Sequence, residues 1–387
     1  MDPAAAVERK GLPDGEDAAA LAQGAAEAPI PTAGGARAAL KRHGPKLLLS
    51  ILLGGGLAWV LSRGGLPLVP SAASFASLRP WTVPVYVLSL ALVHFLRAIR
   101  WRHLLRPIAP ASARAIVAVS FIGFGAIVLS PLRAGEIVRP YLITRRSRVR
   151  LWEAAGTVGA ERVIDGLLLS LILLGAMLLS TPLDPLPDHV GALPVPAAAV
   201  RPAIYTALAL FFSAFAAMAL FYFARDLARR LTHAVVGVVS HELADRLATV
   251  VERVAEGIRF LPSPGHVLPF LGETLAYWGV NAAGIWLIAW GAGLSGISLA
   301  ESAVTMGCIG IGILVPSGPG YFGAFQLSAY MALALYFPAR VLEGPGAALV
   351  FLLYVSQVGF HLVGILIGLA LDRAPAAVPE PAAAPAP

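Results

Sequence analysis

The sequence predicts an all-α polytopic membrane protein, and three observations carry that prediction. The 387-residue chain is 58% hydrophobic and only 13% charged, with a mean hydropathy of +0.76, too apolar for a soluble domain of its size. Its apolar stretches recur at lengths able to cross ~30 Å of hydrocarbon, roughly 17 to 25 residues each. Short polar links, rich in arginine, separate them. The net charge of +7 comes from basic residues beside these stretches, without any nucleic-acid motif. Membrane orientation accounts for it, and no nucleic-acid partner is expected.

Both ends read as solvated tails. Residues 1–44 mix Ala, Gly and Pro with acids and bases and have no apolar run after a basic start, which fits neither a signal peptide nor a core. Residues 374–387 are a Pro/Ala tail. Residues 45–373 make one transmembrane domain with about six full spans, at 45–62, 81–99, 154–180, 202–224, 267–294 and 346–371. Two further apolar regions are interrupted, 115–143 at Pro131 and 302–337 at "PSGPG".

Lys and Arg near span ends set the orientation. Arg37, Lys41, Arg42 and Lys46 place the N-terminus in the cytoplasm. Arg97, Arg100, Arg102, Arg106 and Arg114 precede the first interrupted region, and Arg145, Arg146, Arg148 and Arg150 follow it. Both flanks want the cytoplasm, which a single crossing cannot satisfy, so the region reads as a re-entrant helical hairpin. No Lys or Arg lies between Val267 and Ala339, and counting crossings puts both flanks of the second region outside. The halves then read as an inverted repeat by topology, without a residue-level repeat. The alternative is eight ordinary helices. Both termini are expected in the cytoplasm, and the multi-pass protein in the plasma or inner membrane.

Charges inside the apolar regions are the candidate site. An isolated charge at a membrane helix centre costs ~2.5 to 3.5 kcal/mol on insertion scales, so such groups must be paired, wet or interfacial. Arg133, Glu136 and Arg139 recur at three-residue steps, a spacing that brings them to one side of a helical turn. Glu161 and Asp165 lie four apart in the following span, with Arg162 alongside. The groups either mark function or form a buried network that fixes helix packing. In "LVPSGPGYFGAFQ", Pro316 and Pro319 stop the helix, and Gly318, Gly320 and Gly323 allow close backbone approach. The helix restarting beyond Gly320 offers free N–H groups suited to phosphate or carboxylate, or the break is a simple turn.

"RAIRWRHLL" (97–105), "PLRAGEIVRPYL" (131–142), "ERVIDGLLL" (161–169) and "PSGPGYFGAF" (316–325), in this order, resemble the lysylphosphatidylglycerol synthase transmembrane region, a flippase-like domain. The resemblance covers about residues 45–373. It implies a lipid-handling module and by position points to Arg133, Gly135, Glu136, Arg139, Glu161, Arg162, Asp165, Pro319 and Gly320. Two departures bear on function. The aminoacyl-lipid synthases of the family carry a large soluble acyltransferase domain after the membrane region, where this chain has the Pro/Ala tail, so it is not expected to be that synthase alone. The family often has a glutamate shortly after the Pro-Gly break, where this chain has Gln326; a neutral hydrogen-bonding role fits better than a proton-carrying one.

Other features are ordinary. Residues 225–260 read as one or two cytoplasmic amphipathic helices on the membrane surface, through Leu227, Leu231, Val235, Val238, Leu243, Leu247, Val251, Val254 and Ile258. Trp59, Trp81, Trp101, Trp152 and Trp278 are expected as interface anchors. Glu273 and Asn281 are packing polar groups or line the same cavity. No cofactor or metal is expected: Cys308 has no Cys partner, and His94, His233, His241, His266 and His361 lack metal-site spacing. There is no Gly-Lys-Ser/Thr loop for ATP.

The leading function is translocation of a lipid with a phosphate-containing head group. Arg133, Arg139 and Arg162 would hold the phosphate, Glu136, Glu161 and Asp165 would position those arginines, and the two hairpins would form the path. The alternatives are a membrane-embedded transferase acting on lipid-linked substrates, with Glu136 or Asp165 as base, and a non-catalytic scaffold for a separately encoded lipid-modifying enzyme. Membrane lipids are the expected partners, with that enzyme or a second copy of the chain as further ones.

Overall fold

The structure, a computed structural model, describes residues 33–194, 197–238, 240–259, 263–315 and 317–373. Contacts divide the chain between Leu49 and Ser50. The first unit, among the described residues, is the helical stretch 33–49, the start of α1 (Ala33–Arg63). Residues 33–44, expected in the tail, are therefore helical, whereas residues 1–32 and 374–387 lie outside the described residues. Everything below concerns the second unit.

Among its described residues the second unit has helices and no β-strand, with a single bridge between Val190 and Leu193. After α1 come α2 (Thr82–Ile99), a short α3 (Trp101–Leu105), α4 (Ala113–Leu129), a 3-10 segment (Pro131–Ile137) and α5 (Val138–Thr144). The long α6 (Leu151–Leu179), α7 (Val200–Phe223), α8 (Arg225–Val236) and α9 (His241–Ala255) follow. Next are α10 (Pro264–Gly291), α11 (Leu299–Gly312), α12 (Ala324–Ala334), α13 (Ala339–Glu343) and α14 (Pro345–Arg373). Among the described residues four segments are long and apolar enough to cross a membrane: Thr82–Leu105, Leu151–Leu179, Ala197–Phe223 and Pro345–Arg373. At 28 residues α10 reaches about 42 Å, but Glu273, Asn281 and its tryptophans lower its hydropathy.

Local chemistry sets the boundaries. Glu153 accepts the Arg150 backbone N–H at 3.0 Å at the start of α6. Ser298 and Glu301 satisfy each other's backbone N–H groups at the start of α11. Pro131 and Pro319 each open a 3-10 turn, where a missing N–H costs least.

Each interrupted region doubles back on itself. A Cβ on Gly123 would meet Arg139 Cβ at 2.8 Å, and one on Gly135 would meet the Ala126 carbonyl oxygen at 2.2 Å. These pairs run in opposite directions, so the 3-10 segment and α5 return along α4. In the second region a Cβ on Gly312 would meet Ser328 Oγ at 1.7 Å, which pairs α11 with α12 in the same antiparallel sense. The return helices have 7 and 11 residues, about 10 and 16 Å, too short to cross ~30 Å of hydrocarbon. Packing is also symmetric between the two halves. The second helix of each half lies against the other, α2 on α10, and the first arm of each hairpin packs on the last helix of the opposite half, α4 on α14 and α11 on α6.

The turn of the first hairpin makes a prediction. Gly135→Ala pushes a methyl into backbone, an overpacking cost of about 1–3 kcal/mol, whereas Gly175→Ala on α6 meets nothing within 4 Å. Thermal unfolding in detergent should show a clear loss for the first and none for the second.

The amphipathic segment departs from expectation. Leu227, Leu231, Val235, Val238, Leu243 and Leu247 are exposed along α8 and α9, but Val251 and Val254 pack into the core and Ile258 is fully buried. The last turns of this segment are held by the bundle, because Gly257 sits against the Gly156 backbone and Val254 against Gly159.

Candidate functional site

The middle of the bundle is built on α6. Glu161 and Asp165, one turn apart, face the same neighbours, and the former is fully buried. Arg100 reaches both, donating from Nη2 to Glu161 Oε1 at 3.0 Å and to Asp165 Oδ2 at 2.5 Å, and from Nη1 to Thr274 Oγ1 at 2.8 Å. Arg139 donates to the other Glu161 oxygen at 2.8 Å. Tyr277 on α10 donates its hydroxyl to Asp165 Oδ1 at 2.9 Å. Trp101 lies under the Arg139 guanidinium at 4.0 Å and donates its indole N–H to Thr157 at 2.9 Å. Hydrogen bonds to both carboxylates and aromatic faces beneath both guanidiniums make charge tolerable there.

Arg97 and Arg162 are different. Among the described residues neither has a carboxylate within 4.0 Å; each has a buried Nε without a hydrogen-bond partner, as Arg100, Arg133 and Arg139 also have. Arg97 leans on the rings of Phe124, at 4.8 Å, and Tyr277, at 5.8 Å. Both line a cavity of about 220 Å³ whose wall also includes Arg133, Asp165, Asn281 and Gln357. Asp165 lies 14 residues into the 29-residue α6, close to its middle. Of the five arginines in and beside this network (97, 100, 133, 139 and 162), three (97, 133 and 162) line the cavity, against one carboxylate there, Asp165. The surplus on the wall is two positive charges.

The two hairpin tips meet beside it. A smaller cavity of about 100 Å³ is lined by Ser130 and Arg133 from the first tip and by Ser317, Gly318 and Tyr321 from the second. Arg133 donates to the Ile313 carbonyl at 3.5 Å, and its guanidinium lies 5.7 Å from the Tyr321 ring. Arg133 and Tyr321, one at each tip, both have φ of 60°, the two non-glycine residues with positive φ among the described residues. Such backbone costs about 1–3 kcal/mol per residue and persists where the surroundings fix it.

The predicted site residues separate into groups. Arg139, Glu161 and Asp165 join one buried network, and Arg162 and Arg133 reach the cavity. Glu136 does not: it pairs with Arg133 at 3.0 Å with its side chain 44% exposed. Arg133 and Glu136 do share a side and pair, as three-residue steps on a 3-10 turn require, but Arg139 lies in the α-helix beyond and turns inward to Glu161. Gly135 holds the hairpin arms together. Gly318 packs on Gly54, Pro319 opens its 3-10 turn, and Gly320 takes φ 73° against Tyr354. Gln326 is buried and accepts the Gly323 N–H at 2.8 Å, so α12 begins with one donor already used by its own chain. Pro316 lies outside the described residues.

Sequence reasoning missed Arg97 and Arg100, which it counted as cytoplasmic flank. Arg100 is fully buried, which leaves Arg102, Arg106 and Arg114 as the flanking charges. The signal was the spacing: Tyr86, Leu90, His94, Arg97 and Trp101 fall at three- and four-residue steps, so the buried face of α2 continues into its polar end. Trp101 and Trp278 are likewise not anchors; the first is fully buried and the second lines the cavity, while Trp59, Trp81 and Trp152 are exposed. Glu273 binds Arg102 at 2.6 Å, and Asn281 lines the cavity.

A helical bundle with several membrane-length apolar helices and a charge-lined central cavity defines a multi-pass membrane protein. The family model of the lysylphosphatidylglycerol synthase TM region matches residues 47–368, nearly the whole membrane domain, and the chain belongs to this family. No curated protein and no solved structure matches it.

Proposed function

We propose that the protein binds a lipid with a phosphate-containing head group in the central cavity and moves it between leaflets. The observation that carries this reading is the pair Arg97 and Arg162, two half-buried arginines with no carboxylate within 4.0 Å among the described residues, on the wall of one cavity. A buried cation left unpaired is costly, and an anionic ligand that accepts its hydrogen bonds offsets that cost. An apolar groove of about 280 Å³, lined by Leu57, Leu173, Ile204, Cys308 and Met331, adjoins the cavity through Ile311, which lines both. Head group and acyl chain would therefore have adjacent places. The meeting hairpin tips supply the element that opens and closes, and irregular backbone at that depth survives because protein surrounds it. In this reading the protein sits in the plasma or inner membrane with both termini in the cytoplasm. Membrane potential, ~2.3 kcal/mol per charge per 100 mV, is enough to drive a charged head group.

The test is lipid exchange in proteoliposomes carrying trace head-group-labelled phosphatidylglycerol, scored by outer-leaflet accessibility. Wild type should accelerate exchange over empty vesicles, and Arg133→Ala, incorporated equally, should remove most of the acceleration. Wild-type exchange at the rate of empty vesicles, for anionic, zwitterionic and aminoacylated lipids alike, would reject the reading in favour of a scaffold.

A further inference from the structure

A second buried group on the cavity wall is not used by anything above. His94 on α2 and His361 on α14 bring their Nε2 atoms to 3.2 Å, with the rings at 86° to each other. Each ring's other nitrogen is also engaged: His94 Nδ1 lies 2.8 Å from the Leu90 carbonyl oxygen and His361 Nδ1 lies 2.7 Å from that of Gln357. A carbonyl oxygen only accepts, so each Nδ1 must be the protonated nitrogen. In two neutral rings both Nε2 atoms would then be bare lone pairs pointed at each other. The side chains are 2% and 4% exposed, so bulk water does not relieve that contact. No group of three or more metal-ligating side chains gathers among the described residues. One proton between the two nitrogens, donated by one ring and accepted by the other, satisfies all four positions.

We propose that His94 and His361 form a single-proton site on the cavity wall, and that its proton is taken up together with an anion bound at Arg97. The first part stands on the geometry of the pair alone; the second rests on the lipid reading above. His94 and Arg97 are three residues apart on one face of α2, so a proton on the pair adds a second positive charge beside the arginine. The other charged or titratable groups on this cavity are Tyr86 on α2, Arg133 from the hairpin, Arg162 and Asp165 on α6, Tyr277 on α10 and Tyr321 from the second tip; the flanking rings of Phe124 and Phe360 carry no charge. Asp165 is already engaged by Arg100 and Tyr277. The surroundings therefore oppose the proton until an anion enters, and by linkage the proton favours the anion equally. Moving proton and anionic head group together carries less net charge across the membrane than moving the head group alone, and it supplies a driving force where no nucleotide-binding loop exists.

The experiment is nitrogen-15 spectroscopy of the eight histidines in the full-length protein in neutral detergent, titrated from pH 5 to 9 with and without short-chain phosphatidylglycerol. His361→Gln assigns the pair, and the wild-type spectra decide the question even if that variant folds poorly. Two Nδ1–H rings sharing one Nε2 proton are expected, with the loss of that proton moved to higher pH by the lipid, and moved further than for His233, a ring on the cytoplasmic segment. Two neutral rings across the whole range, or one with its proton on Nε2 facing its neighbour, would overturn the proton site. A shift no larger than that of His233 would overturn the coupling. A shared proton with lipid-dependent titration but no exchange in proteoliposomes would leave this inference standing and remove translocation.

Discussion

Replacing Glu161 with alanine is expected to destabilise the protein more than any other single change to the bundle. Each oxygen of this fully buried carboxylate holds a different fully buried arginine, Arg100 at 3.0 Å and Arg139 at 2.8 Å. Its removal leaves Arg139 with only the Trp101 and Phe124 rings, at 4.0 and 5.1 Å, and leaves Arg100 with Asp165 alone. Breaking a buried pair in this way costs about 3–5 kcal/mol, against a typical total stability of about 5–15 kcal/mol. Glu136→Gln is the control: its carboxylate is half exposed beside Arg133, and such pairs contribute at most about 1 kcal/mol. Thermal unfolding in detergent should lower the midpoint strongly for Glu161→Ala and barely for Glu136→Gln. Equal midpoints would mean that the buried network does not hold the helices together.

Arg97→Gln and Arg162→Gln should behave in the opposite way, keeping most of the stability while weakening head-group binding. Neither arginine has a carboxylate to orphan, and each leaves a buried donor unsatisfied, so neutralising it removes a cost of the empty state. A charge-assisted hydrogen bond contributes about 1.5–3 kcal/mol, so each substitution should weaken a phosphate-bearing lipid roughly ten- to a hundredfold. Titrating purified protein in nanodiscs with short-chain phosphatidylglycerol checks the binding, and unfolding midpoints check the stability. If both variants lose stability as Glu161→Ala does, all five arginines form one structural network and the cavity has no anion site.

Much of the fold was legible because membrane spans are written in composition. The spans expected at 154–180, 202–224 and 346–371 became Leu151–Leu179, Val200–Phe223 and Pro345–Arg373. That each interrupted region turns back on itself was legible from charge, since arginines flank one apolar region on both sides and no Lys or Arg lies between Val267 and Ala339 around the other. The site was only half legible. Glu161 and Asp165 stood out because charge inside an apolar run is rare, and they do face inward. Arg97 and Arg100 did not, because a charge near the end of a span looks the same whether it reaches headgroups or turns into the bundle. Glu136 misled for a local reason: it pairs with Arg133 on a half-exposed side of the 3-10 segment, whereas Arg139, in the α-helix that follows, turns inward to Glu161. The His94 to His361 contact joins residues 267 apart in sequence, which no spacing rule relates.

The most direct test of the central claim is native mass spectrometry of the protein released from membranes, comparing wild type with the double variant Arg97→Gln/Arg162→Gln. The account predicts that wild type retains one phosphate-bearing lipid per chain in preference to diacylglycerol, and that the double variant, folded and equally abundant, retains none preferentially. Equal retention by both proteins, or no preference for phosphate over the neutral lipid, would contradict it.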